Sequence, residues 1–188
     1  MNHADRKRWA AARTLADVGA ITAQWLEGEL EETPSHLGPP DPETIPYIAP
    51  LAAVNRAGFV TDNSQAANEP HEAALWGPCN AYVSGFVAEA DFVRLFAITG
   101  PAGLLLTSCC RGRRHSGHRW SPWWLRWALP CPRQDLDDFY AGRCPLAADE
   151  VCAAWHVTIE DPQDGRNDRL WPALTAYAAE RSRESRAA

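Results

Sequence analysis

Between Gly58 and Ser108 the chain changes its period three times, and this order restricts the folds open to it. Phe59-Val60-Thr61 begins a strand, and Asn80 to Val87 alternates as a second one. Ala90 to Ile98 then places Phe92, Val93, Leu95 and Phe96 at helical spacing. Gly100-Pro101-Ala102-Gly103 is a turn, and Leu104 to Ser108 reads as a third, mostly buried strand. The stretch is a β-β-α-β unit.

Elements on either side complete the pattern. Ala4 to Ala12 suits a short helix. Thr14 with Asp17 three residues on has the form of a capping box, followed by Leu15, Val18, Ile21, Trp25 and Leu26 at helical spacing. These residues predict an amphipathic helix over 14–29. Five prolines over 31–46 predict an exposed linker, and a helix starts near Pro50 with Gly58 past its end. Asp62 to Pro78 reads as a polar loop. Residues 109–133 have no clear period, and 134–140 suit one or two helical turns. Val151 to Ile159 reads as a fourth strand. A last helix spans about 168–181, before a solvated tail.

The expected fold class is therefore α+β: a small, mainly antiparallel sheet of about four strands packed against helices, with an N-terminal amphipathic helix and a C-terminal helix. A length of 188 residues fits one domain, 1–188, with 1–12 and 182–188 peripheral. No internal repeat is visible.

Charge and composition exclude several functions. The net charge of −6 argues against a protein that coats nucleic acid, and no apolar run is long enough to span a membrane. No secretory signal is recognised at the start, so reduced cysteines in a cytoplasmic setting are expected. The charge is uneven. Residues 1–108 hold 6 basic and 13 acidic groups, whereas no acid lies between Phe92 and Gln134. Lys7 is the only lysine. GC-rich coding accounts for that bias, and selection for the guanidinium fork is the alternative.

Three segments carry enough polar chemistry to be candidate sites. The first is Thr61, Asn63, Ser64 and Gln65, a set of hydroxyls and amides after a strand start, fit either to bind a polar ligand or to satisfy a turn. The second is Arg166, Asn167 and Asp168. There a helix start beside guanidinium can bind an anion, or simply be a capped helix whose arginines pair with acids. The third is the Arg/Trp-rich stretch 111–127, with Arg111, Arg113, Arg114, His115, Trp120, Trp123, Trp124 and Trp127. Such residues serve a protein interface, a single-strand stacking surface, or a core with arginines facing water.

Catalytic and metal signals are weaker. Ser64 lacks a nucleophile elbow, and no spacing ties His115, Cys109, Cys110, Ser64 or Asp168 to one another, so no enzyme class is assigned. Zinc ligands can be sought in Cys110, His115, His118 and Cys131, or in Cys144, Cys152 and His156, but no standard spacing fits. No metal and no cofactor are expected. His3, His36 and His71 read as isolated surface residues.

Several motifs together resemble one family. They are Arg13-Thr14-Leu15-Ala16-Asp17-Val18-Gly19-Ala20, Trp25-Leu26-Glu27-Gly28, Asn55-Arg56-Ala57-Gly58-Phe59-Val60-Thr61 with Ser64-Gln65, Gly85-Phe86-Val87, and Gly165-Arg166-Asn167-Asp168 with Leu170-Trp171-Pro172. The combination is similar to an actinobacterial family of unknown function, common in streptomycetes, over most of the chain. The resemblance implies a bacterial lineage and no mechanism. It also implies Pro-Gly after Ser-Gln, where this chain has Ala66-Ala67.

The leading expectation is a soluble binding module. In it the Ser64-Gln65 loop and the Arg166-Asn167-Asp168 turn converge on a small polar or anionic ligand. The alternative is a partner surface at 111–127, for protein ahead of nucleic acid. An enzyme ranks third.

Overall fold

A computed structural model describes residues 1–68, 75, 77, 79–109 and 140–187. Helix α1 spans His3–Ala11 and α2 spans Leu15–Leu26. A 3-10 helix at Pro42–Tyr47 runs into α3, Ile48–Arg56. Then follow β1 (Phe59–Gln65), β2 (Tyr82–Val87), α4 (Glu89–Thr99), β3 (Leu105–Cys109), α5 (Ala148–Ala153), β4 (Trp155–Glu160) and α6 (Leu170–Ala187). The fold class is α+β. The sheet is antiparallel in order β1-β2-β4-β3, so β4 inserts between the second and third strands of the β-β-α-β unit. No helix among the described residues is long and apolar enough to cross a membrane.

The two sheet faces differ in chemistry. Val83, Val87, Val157 and Ile159 are fully buried on one face, where Phe92 of α4 stacks on Trp155 at 5.0 Å. Ser84, Phe86, His156, Thr158 and Glu160 share the other face, because strand side chains alternate and Phe86 pairs with His156. Helices α2 and α3 pack on each other and on β1, and α3 also packs on α6. Gly85 lets β1 and β2 come together: a Cβ there would lie 2.2 Å from the Val60 carbonyl oxygen.

Four boundaries depart from the sequence expectation. Strand β1 continues through Gln65, since Asn63, Ser64 and Gln65 pair with Ser84, Val83 and Tyr82. Cross-strand bonds there outcompete the local turn bonding such polar residues favour. Residues 148–153 form a helix, burying Val151 and Cys152, and the fourth strand begins only at Trp155. Helix α6 runs on to Ala187. The proline-rich stretch is held over its first half, while Asp41, Pro42, Glu43, Ile45 and Pro46 are exposed as expected. Trp9 Nε1 donates to the Glu32 carbonyl at 3.1 Å, Trp25 Nε1 donates to the Gly38 carbonyl at 2.9 Å, and Thr33 is buried.

Candidate functional site

Strand β1 is an edge strand, and the proline-rich stretch lies beside it. Between them is a cleft of about 40 Å³, room for a few waters or a group of a few heavy atoms. Thr61, Asp62, Asn63 and Ser64 form one wall. Thr33, His36, Asp41 and Thr44 face them, and Trp25, Leu26 and Leu51 contribute apolar surface from α2 and α3. His36 is fixed rather than free. Its Nε2 donates to the Pro39 carbonyl at 3.0 Å, and its ring lies 5.3 Å from that of Trp25.

A β-bulge aims the central carboxylate. The ladder pairs Thr61 with Gly85 and Asn63 with Ser84, leaving Asp62 as the extra residue. Its carboxylate accepts from Ser84 Oγ at 2.6 Å and from His156 Nε2 at 2.7 Å. The side chains of Asp62 and His156 are 2% and 7% exposed. Both carboxylate oxygens are therefore oriented by charge-assisted bonds while the residue still lines the cleft. Since Ser84 gives its proton to Asp62 and not to His156, the trio is not a serine–histidine nucleophile.

Tyr140 covers the same face. Its ring meets Phe86 edge-on at 5.2 Å, and Phe86 meets His156 edge-on at 5.1 Å. The Tyr140 hydroxyl is buried and without a hydrogen-bond partner, with Ser35 near it but outside bonding geometry. Burial, reinforced by the negative charge of Asp62, holds this phenol well above its ordinary pKa, so it remains a proton donor.

The second predicted segment touches the end of β1. Asn167 Oδ1 accepts from the Ala67 amide at 2.9 Å, and its Nδ2 donates to the Ala67 carbonyl at 3.1 Å. Trp171 Nε1 donates to the same Oδ1 at 3.3 Å. Arg166 makes a two-pronged pair with Asp168 at 2.8 and 2.6 Å and reaches Gln163 at 2.7 Å. That pairing holds the Asp168 carboxyl below its usual range. Gln65 points away from the cleft wall, donating to Cys79 Sγ at 3.4 Å, where the Asn68 amide also donates at 3.3 Å. Asn63 donates to Tyr82 Oη at 3.1 Å.

Thr61, Asn63 and Ser64 thus share one opening, while Asn167 braces the strand's far end and Arg166 and Asp168 pair with each other beside it. The stretch 111–127, with Arg111, Arg113, Arg114, His115, Trp120, Trp123, Trp124 and Trp127, lies outside the described residues, as do Cys110, His118 and Cys131. Among the described residues no three His, Cys, Asp or Glu side chains are placed to hold a metal ion. Cys144 is fully buried, which pushes its thiol up to about 12.

Sequence reasoning missed Ser84 and Tyr140, weighed His156 only as a zinc ligand, and gave neither Asp62 nor His36 a role. One signal was present: alternation along Trp155 to Glu160 sets His156 with Thr158 and Glu160 on a single, polar face. Nothing local connects His156 to Asp62, 94 positions earlier.

No curated protein matches the chain. A family model, the domain of unknown function DUF6919, matches residues 4–181. The chain belongs to the DUF6919 family.

Proposed function

We propose that this protein is a binding module whose small polar ligand occupies the cleft between β1 and the proline-rich stretch. One observation carries the reading: residues distant in sequence surround one opening, and Asp62 in its wall is locked in place by Ser84 and His156. Fixed polar groups bind with little loss of side-chain freedom. The turn at 164–169 supports the ligand indirectly, since Asn167 anchors Ala67 and hence the end of β1.

Amide and indole signals of the 15N-labelled chain test this with methylammonium, glycerol and inorganic phosphate, a cation, a neutral polyol and an anion. At least one is expected to shift the amides of residues 61–64 and the Trp25 indole N–H, with millimolar or weaker affinity for so few atoms. Ser64→Phe should fill the opening and abolish the shift. If none of the three moves these signals, or Ser64→Phe binds as the parent does, the proposal is overturned.

A further inference from the structure

Beyond its being a ligand site, the cleft has a sign. It is lined by two acidic residues, Asp62 and Asp41, and, among the described residues, by no Lys or Arg. The chain from 27 to 43 carries six acids and no Lys or Arg. Three of these acids are met by cations: Glu27 by Arg56 at 2.7 Å, Glu29 by Arg8 at 3.9 Å, and Glu32 by the chain's amino terminus. Asp41 at the rim has no charged partner among the described residues.

The remaining lining has a matching character. Trp25 supplies an aromatic surface, and the hydroxyls of Thr44 and Ser64 can accept hydrogen bonds. His36 has committed its Nε2–H to Pro39. A carboxylate, an aromatic face and several acceptors in a small opening suit a compact cation that donates several hydrogen bonds. They oppose an anion, which would meet Asp62 and Asp41 with no guanidinium among the described lining residues to offset them.

We infer that the cleft takes a ligand through a primary ammonium head, held by Asp62 and Asp41 against Trp25. This rests on the binding reading above and names the chemistry of its ligand. Ser84 and His156 take one lone pair on each Asp62 oxygen, and the ammonium would donate to the others, on a side chain that is 2% exposed.

The test compares methylammonium, glycerol and phosphate on the 15N-labelled full chain at matched ionic strength. Methylammonium is expected to shift residues 61–64 and the Trp25 indole, more weakly as salt rises. Glycerol and phosphate should not shift them. Asp41→Asn is expected to weaken methylammonium about fivefold, as one exposed charge a few ångströms away would. Asp62→Asn should abolish it. Asp41 is exposed and outside the core, so Asp41→Asn keeps the test decisive even if Asp62→Asn fails to fold. If glycerol or phosphate binds at the cleft as well as methylammonium or better, the ammonium inference is overturned and the binding reading survives. Unchanged affinity in Asp41→Asn also overturns the inference. Silence from all three probes overturns both readings.

Discussion

Two asparagines show how single side chains set the position of β1. Asn55 is fully buried. Its Nδ2 donates to the Leu51 carbonyl at 2.9 Å and to Thr61 Oγ1 at 2.7 Å, while its Oδ1 accepts from the Thr61 amide at 2.9 Å. One amide thereby joins α3 to the strand that forms the cleft wall. Asn167 performs the same service at Ala67. Leucine at 55 would keep the volume but leave the Thr61 N–H without an acceptor inside the core. Asn55→Leu is expected to cost about 2–3 kcal/mol in urea unfolding, the penalty of an orphaned buried donor with some lost packing. A stability within about 0.5 kcal/mol of the parent would show that water reaches Thr61 and that the clamp is dispensable. Asn55 stood within a motif whose identity drew attention, yet its role was not legible. A buried asparagine that bonds six residues ahead has the same sequence appearance as one at a helix end exposed to water.

Helix α2 is the element whose start was most legible, because its determinants are local. Thr14 Oγ1 accepts from the Asp17 amide at 3.1 Å, and Asp17 Oδ2 accepts from the amides of Arg13 and Thr14 at 2.9 and 3.0 Å. The bond from the Arg13 amide leads the effects that hold the Asp17 carboxyl below its ordinary range. A depressed pKa in the folded state means that stability from the ionised form is complete above the unfolded value near 4. It is lost as pH falls through and below that value. Asp17→Asn should therefore lower the melting temperature modestly at pH 7 and much less at pH 3, and thermal unfolding at both pH values measures the difference. An equal loss at both would assign the effect to packing instead. Thr14→Ala should cost about 1 kcal/mol. Strand β1 is the opposite case. Asp62-Asn63-Ser64-Gln65 has turn chemistry on its own, and only pairing with β2, some twenty residues on, makes it a strand. Val151 and Cys152 likewise favour a strand by composition. They lie in α5, whose Glu150 carboxylate accepts from the Leu15 amide at 2.6 Å and so ties α5 to the start of α2.

At the scale of the molecule, the cleft depends on how closely α2 approaches α3, because Trp25 and Leu26 reach it from one helix and Leu51 from the other. That approach is set at Gly19. A Cβ there would stand 2.4 Å from the Asn55 carbonyl oxygen and 3.2 Å from Val60 Cγ2. The first contact is with backbone, which has no rotamer by which to withdraw. Two effects oppose each other in Gly19→Ala. Alanine favours the helix by roughly 1 kcal/mol over glycine, whereas overpacking costs about 1–3 kcal/mol and here forces a whole helix to move. The steric cost should win, leaving the variant about 1–2 kcal/mol less stable by chemical denaturation. Because α3 also packs on α6 and β1, relief is easiest by outward movement of α2, which carries Trp25 away from Asp62. The Trp25 indole N–H, bonded to Gly38, should then shift even without ligand, and the cleft should lose affinity for its probe. A variant as stable as the parent with an unmoved indole signal would mean that the helices approach less closely than the Gly19 contact requires.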